Sequence, residues 1–556
     1  MASNRLLKDG EHPDSRGQGS GRRRELDERS VPQQGLALDP QLAEVEQKRL
    51  TNSVVGPGCR VNPAFLALDI GSSTLRVLLG DPHRGVLGAA SAPMRYVRPD
   101  PADPFSLQVQ PDDLFAEAGR LVRRVLAESG IEGHQVAGIG VTSQRQGSVF
   151  LDAHGKELYA GPNMDLRATM EGAAMDEEMG TEIYKVTGHL PSLMFTLARL
   201  RWFRSCQPRE YDSIASVLAI AAWMAYRMTG TQSCEPSLAG EIGLLDVGSV
   251  SRCEGLCQRL GVDSSLFPPM IEAGHPVGNL KRDVAGSWGL SPDTPVTIAG
   301  PDTQCGLVGM GVSGPGTTGL IAGWSCTLQM VTEKPRWDDR MRTWVGCMNI
   351  PGLWMAESNL GDGGYAYNWV VRNLVNGDYA AAEDMACRIE PGAGGARAFL
   401  GPGPESMPSA GMRAGGFMFY TPLSFQEVTH GQLVRASLEN LAYSARANLE
   451  TLEEVSGQKA DALSLGGGLS RSRLFASVLA NVLGRDVRRS LLPEASTWGA
   501  LLAAAVAAGE YPDLASASRE ACCETELVPS SQGESAEYQD HFQRWREAYY
   551  ALQEVA

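Results

Sequence analysis

The chain has 556 residues, of which 43% are apolar and 21% charged, and its formal net charge is −16. This is the composition of a folded chain with a large core, long enough for about two to four domains. The acidic balance argues against a general nucleic-acid binder, which needs a basic face, and no apolar run is long enough for a membrane-spanning helix.

Residues 1–60 are polar, with Arg22-Arg23-Arg24 set among acids, and read as a disordered N-terminal extension. The opening Met1-Ala-Ser-Asn-Arg lacks the apolar core of a signal peptide. The 11 Cys include two close pairs, Cys253/Cys257 and Cys522/Cys523, neither with a second half at zinc spacing, and the 8 His form no cluster. The expectation is a cytoplasmic chain with free thiols.

Phe65–Asp69 is a short apolar run that breaks at Gly71-Ser72-Ser73-Thr74 and resumes at Leu75–Leu79, which predicts a strand, a tight turn and an antiparallel strand. Residues 112–129 carry helical periodicity. Val136–Val141, Val149–Leu151 and Val296–Ala299 read as strands, and Ile214–Met228 as one buried helix. The run Gly300–Gly323 is rich in glycine, and a boundary near Gly311–Thr318 divides a first domain, 61–312, from a second, 313–556. The second half opens on the same theme, with Thr317–Ala322 and Thr327–Val331 flanking Gly323-Trp324-Ser325-Cys326. The Gly- and Pro-rich stretch 391–416 reads as a long loop, Leu433–Val455 as a long amphipathic helix and Ala462–Leu465 as a strand. Near the C-terminus, Tyr538, Phe542, Trp545, Tyr549 and Leu552 share one helix face. That face suits a core stripe; packed against a second copy it would make a homodimer.

Three segments have the chemistry of a site. Asp69-Ile-Gly71-Ser72-Ser73-Thr74-Leu-Arg76 places a carboxylate at a strand end, then a glycine and three hydroxyls. Those groups suit phosphate oxygens and a hydrated Mg²⁺, and equally an ordinary hairpin turn. Asp302, between Gly300 and Gly306, follows a buried strand and can act as a base in a cleft or as a helix cap. Gly466-Gly467-Gly468-Leu-Ser470-Arg471 lies between a strand and a helix, where bare backbone and a helix N-terminus favour a base or a phosphate. Two motifs fail. Gly309-Met-Gly311-Val-Ser-Gly314 fits GxGxxG but has no acidic residue at the required distance, and no GxxxxGK sequence of a P-loop occurs.

In order, these segments resemble the FGGY carbohydrate kinases, ATP-dependent sugar kinases of the actin/hexokinase-like superfamily, over residues 64–550. Asp69–Arg76 resembles the family's first phosphate loop, D-x-G-T-S/T-x-x-R/K. Thr142-Ser-Gln144-Arg145-Gln146-Gly147 resembles its sugar loop, and Asn163-Met-Asp165-Leu-Arg167 its W-x-D-x-R segment. Met194–Phe203 is similar to the first family signature, with Arg199 where Lys is usual. Gly300–Gly306 matches the segment bearing the catalytic Asp, Arg435–Tyr443 the R-A-x-x-E-x-x-A-F/Y helix, and Gly466–Gly484 the second signature.

The resemblance implies an α/β fold of two ribonuclease-H-like domains around a central cleft, with ATP and Mg²⁺ as cofactors and a small sugar as substrate. It implies Asp302 as general base, with an ordinary Asp pKa near about 3.9. Asp69 would anchor Mg²⁺, and Gly71, Ser72, Ser73, Thr74, Arg76, Gly323 and Ser325 would meet phosphates. Gly466, Gly467, Gly468 and Arg471 would line the adenosine, and Arg145, Gln146, Asp165, Asp302 and Thr303 would contact the sugar. The chain departs from the family at Trp324, where the second phosphate loop has a hydroxyl residue, and at Gln146, where the autoinducer-2 kinases have Glu after the Arg. Those enzymes, which phosphorylate a dihydroxypentanedione, are the subgroup most resembled, through Asn163 and the Ile183–Gly188 run. The implied reaction is phosphorylation of a primary hydroxyl on a ketose, polyol or dihydroxypentanedione. The alternative is a non-catalytic sugar or nucleotide sensor on the same fold.

Overall fold

A computed structural model describes residues 63–401, 403, 414–420, 427–492, 494–521 and 524–555. The expected N-terminal extension and the Cys522/Cys523 pair lie outside them.

The first sheet grows from the run Ala64–Ile70, every residue of which is buried. The chain reverses through Gly71, whose N–H donates to Thr74 O at 3.1 Å, and returns antiparallel as Thr74–Asp81, then again as Gly85–Pro93. On its other side Ala64–Ile70 pairs in parallel with Val136–Ser143, which pairs in parallel with Pro295–Pro301, and Gly278–Asn279 closes that edge. The helix Pro111–Ser129 begins with proline in its first turn and stops at Gly130, at φ 69°. It buries Leu114, Ala118, Leu121, Val122 and Val125 against the sheet.

The second sheet repeats the plan. Thr318–Ala322 turns antiparallel into Cys326–Thr332, which pairs antiparallel with Trp354–Gly361. On its other side Thr318–Ala322 runs parallel to Leu463–Gly466, and that strand parallel to Val487–Ser490. Three antiparallel strands followed by two parallel ones thus occur twice, so the duplication anticipated from two turns extends through both sheets.

One expected element is corrected. Ile214–Met228 is not a single helix: Ser216–Ala219 is a strand paired with Ser148–Leu151, and the helix spans Ile220–Thr229. Both are fully apolar and buried, so the run carries no periodicity that distinguishes them.

Every strand of the first sheet precedes residue 312 and every strand of the second follows it. Two helices cross that line. Ala495–Ala507, from the second half, lies on the first sheet, where Gly138 and Gly140 leave room for it. A Cβ on Gly140 would stand 1.9 Å from Ala500 O. The same helix crosses Asp302–Gly309 backbone to backbone, since a Cβ on Gly499 would stand 1.8 Å from Cys305 O and one on Gly309 2.1 Å from Ala495 O. Helix Asp302–Gly309 in turn leaves the first sheet for the second, with Leu307 over Gly319.

The long helix His430–Ser456 starts at a capping box of Thr429 with Gln432 and packs on Trp354–Gly361. The helix Gln532–Val555 buries Tyr538, Phe542, Trp545 and Tyr549 in the second core, so the aromatic stripe packs internally. In the stretch 391–416, Gly392 is needed where a Cβ would strike the His541 ring at 2.2 Å. Among the described residues no helix is long and apolar enough to cross a membrane. The eight described cysteines are free thiols, with Cys253 and Cys257 3.6 Å apart at sulfur.

Candidate active site

The turn after Ala64–Ile70 is held rigid from below. Tyr96 OH donates to Ser72 O, Met94 N–H donates to Ser73 O at 3.0 Å, and the Gln144 amide donates to Gly71 O at 3.4 Å. The hydroxyls of Ser73 and Thr74 lie 3.5 Å apart, with Ser73 exposed. Asp69 ends the strand buried. Its Oδ2 accepts from Thr497 at 3.2 Å and lies 3.6 Å from Arg76, whereas its Oδ1 is buried with no partner. Burial raises the Asp69 carboxyl above its usual range, against the pull of Arg76. Arg76 also bridges to Glu494 at 2.9 Å, and the charge of Arg471 reaches the same Glu494. The first loop, the chain after Val487–Ser490 and the glycine turn therefore meet at one place.

Asp302 is the first residue of its helix and half-buried, with Pro301 at the N-cap position and the Thr303 N–H directed at its own carboxyl. Its carboxyl is pushed up to about 7 by burial and by the charge of Asp69, and Arg145 only partly offsets them. The expected ordinary value is corrected: the shift comes from groups remote in sequence.

The loop Gln144–Gly147 follows Val136–Ser143 and is clamped by Arg199, a fully buried side chain. Its guanidinium donates to Gln146 O at 2.5 Å and Pro162 O at 2.8 Å. The clamp holds Gln146 at φ 58°, a left-handed conformation unusual outside glycine. Arg145 reaches Glu357 at 2.5 Å, on Trp354–Gly361 of the second sheet, and Glu241 at 3.6 Å. Burial opposes the Arg145 charge, but the two carboxylates outweigh it. Gln146 donates to Glu241 at 2.9 Å, and Thr303 OH donates to Gln304, whose amide donates to Glu241 at 2.9 Å.

Asp165, expected to contact the sugar, is fully buried. It accepts from Arg167 at 2.8 Å, from the Leu107 N–H at 2.9 Å and from Tyr159 OH. Its carboxylate is taken up inside the protein, between Arg167, Tyr159 and the Leu107 backbone.

In the second half, Gly323 N–H donates to Ser325 O at 3.2 Å, and Ser325 OH donates to Asn359 at 3.2 Å. Trp324 is the central residue of this turn, and its ring lies against Tyr365, with ring centroids 4.6 Å apart. Gly466 and Gly467 are required by packing, because Cβ atoms there would meet Met310 Sδ at 2.3 Å and the Ala322 backbone at 2.7 Å. Gly468 and Arg471 are exposed. Ser472 caps the helix Arg473–Leu483 through the Phe475 N–H at 3.0 Å.

The family comparison decides the identity of this arrangement. The N-terminal domain of the FGGY family of carbohydrate kinases matches residues 64–309, and its C-terminal domain matches residues 320–508. The chain belongs to the FGGY family of carbohydrate kinases. This FGGY kinase is 27% identical to the autoinducer-2 kinase of Salmonella typhimurium over 507 residues, covering 87% of this chain and 94% of the relative. It is 29% identical to a putative sugar kinase of Bacillus subtilis over 426 residues, 76% of this chain and 85% of that one. Its fold is that of the xylulose kinase of Rhodospirillum rubrum, with a TM-score of 0.77 at 22% identity, covering 88% and 99% of the two chains. The glycerol kinase of Plasmodium falciparum with ADP gives 0.75 at 17% identity, covering 87% and 98%. The chain is therefore a phosphotransferase with the two-domain FGGY fold.

Four polar residues of this kinase site had no motif to announce them: Glu241, Glu357, Gln329 and His189. Glu357 carries the clearest sequence signal, a carboxylate inside the buried strand Trp354–Gly361. Gln146 donates to the Glu241 carboxylate and Arg145 pairs with that of Glu357, so two carboxylates remote in sequence lie against this loop. Among the described residues no group of three or more His, Cys, Asp or Glu is placed to hold a metal. The unpartnered Asp69 Oδ1 suits a cation that takes most of its ligands from phosphates and water.

Proposed function

We propose that this kinase transfers the γ-phosphate of ATP to a primary hydroxyl of a small ketose or polyol, of pentulose or dihydroxypentanedione size, with Asp302 as general base. The supporting observation is the placement of Asp302, half-buried between Asp69 and Arg145 with its carboxyl raised to about 7. A base of that strength is suited to accept the hydroxyl proton as the oxygen attacks phosphorus. The relatives named autoinducer-2 kinase support the substrate size.

Asp69 would hold Mg²⁺ through its free oxygen, and the ion would neutralise charge on the phosphates. Ser72, Ser73 and Thr74 would donate to phosphate oxygens, the bare Gly71 and the turn at Ser325 would let the phosphates approach, and Arg76 would add a positive charge beside them. Gly468 and Arg471 line the adenosine. Arg145, Gln146 and Thr303 position the sugar. The two halves close on the ligands and exclude water, which favours transfer to the sugar over hydrolysis.

The test is ADP release by the full-length protein across ketoses, polyols and dihydroxypentanedione, with and without Asp302→Asn. The variant should lose about 10²–10⁴-fold in turnover while still binding ATP. Near-normal turnover would remove Asp302 from the role of base.

A further inference from the structure

The side chains beside Asp302 form a hydrogen-bonding set with an excess of acceptors. Glu357 lies opposite Gln329 on one neighbouring strand and Trp344 on the other, which brings all three to one face of the second sheet. Arg145 lies over the Trp344 ring and donates to Glu357 Oε2 at 2.5 Å. Gln329 donates to the same oxygen at 2.7 Å. The amides of Gln146 and Gln304 both donate to Glu241. These amide hydrogen bonds and the Arg145 contact are thus directed at the two carboxylates.

The acceptors are not all used. Glu357 Oε1, Gln329 Oε1 and His189 Nε2 are buried with no partner. His189 Nδ1 lies 2.6 Å from Thr187 O, a carbonyl that can only accept, so the ring hydrogen is on Nδ1 and Nε2 presents a lone pair. Nε2 is 3.9 Å from Glu241, beyond hydrogen-bond reach. Burial pushes the ring pKa down to about 4, so His189 is neutral at ordinary pH. Buried acceptors without donors are costly, and a ligand that brings hydrogens removes that cost.

The charges point the same way. Glu241, Glu357, Asp302 and Asp69 surround the site, and Arg145 is already engaged by two of them. An incoming carboxylate would meet acceptors and negative charge without a free cation to pair with.

We infer that the side-chain set beside Asp302 takes an uncharged, hydroxyl-rich substrate that donates hydrogen bonds to Glu357, Gln329 and His189, and that it rejects sugar acids. The inference rests on the kinase reading above and sharpens its substrate class. Glu357 and His189 are its specificity-determining residues; the second sheet supplies Glu357, with Gln329 and Trp344 beside it, and the first half supplies His189.

The experiment is steady-state ADP release by the full-length enzyme with ATP and Mg²⁺. The panel sets D-xylulose, D-ribulose, xylitol, glycerol and dihydroxypentanedione against D-gluconate and D-xylonate. The best neutral substrate should exceed either acid in kcat/KM by at least about 100-fold, because unpaired buried groups discriminate strongly. Glu357→Gln should reduce that ratio at least about tenfold by removing one negative charge. His189→Phe keeps an aromatic ring beside Trp344 but deletes the lone pair. It should raise KM for the neutral substrate about tenfold with little change in kcat. A sugar acid as the preferred substrate overturns the inference and leaves the kinase reading standing. The inference is equally overturned if both variants keep the wild-type ratio and KM, or if they lose only thermal stability. Phosphorylation of no panel member counts against the kinase reading itself, and the inference falls with it.

Discussion

Burial and the neighbouring Asp69 both oppose ionisation of Asp302. The folded protein therefore keeps a proton that the unfolded chain releases between about pH 4 and pH 7, and stability falls as pH rises through that window. The ligand-free Asp302→Asn variant should melt above wild type at about pH 8, with the gap closing toward about pH 4; thermal melts at both ends check this. The difference is on the order of 1–4 kcal/mol, at ~1.4 kcal/mol per pKa unit. With Asp302 as the proposed base, activity should run the opposite way, because a base must be ionised. kcat/KM should climb with pH and level off above about 7, a limb that a pH–rate profile resolves. At this scale the sequence located Asp69, Arg145 and Asp302 through their glycine-flanked or loop positions. It did not reveal their energetics, because Asp69 and Asp302 influence each other only after two parallel strands bring them together. Asp165 shows the same limit: its motif is legible, but its burial against Tyr159 and Arg167 is not.

Among elements, hairpins were the most legible, since a glycine turn between two apolar runs leaves few alternatives. The crossing of Asp302–Gly309 with Ala495–Ala507 was hidden, because an alanine-rich helix start does not say which sheet it will cover. The crossing can be probed by one methyl group. Gly499→Ala forces a Cβ onto the Cys305 carbonyl and should lower stability by about 1–3 kcal/mol or more, seen as a fall in Tm. Gly286→Ala is the counterpart. It lies within the helix Arg282–Trp288, where a new Cβ meets nothing, and should raise stability by about 0.5–1 kcal/mol. Equal effects from the two would refute the close-packed crossing. The glycine-rich composition of the chain thus has two sources. Some glycines open the tight turns after Ala64–Ile70 and Thr318–Ala322, and others, such as Gly140 and Gly499, let backbones touch.

For the whole molecule, two copies of one sheet plan are tied together by that pair of helices. The first sheet depends on Trp498, Leu501 and Ala504 of the second half for its cover. A fragment ending at residue 312 should therefore be insoluble when produced alone and recover solubility when 313–556 is co-produced, which fractionation of the two preparations would show. An independently soluble and cooperatively folding fragment would contradict this packing. In polymer terms the exchange is a domain swap made within one chain. A second copy can supply Ala495–Ala507 equally well, so refolding at high concentration favours chains that trade this helix, and refolding at high dilution suppresses them.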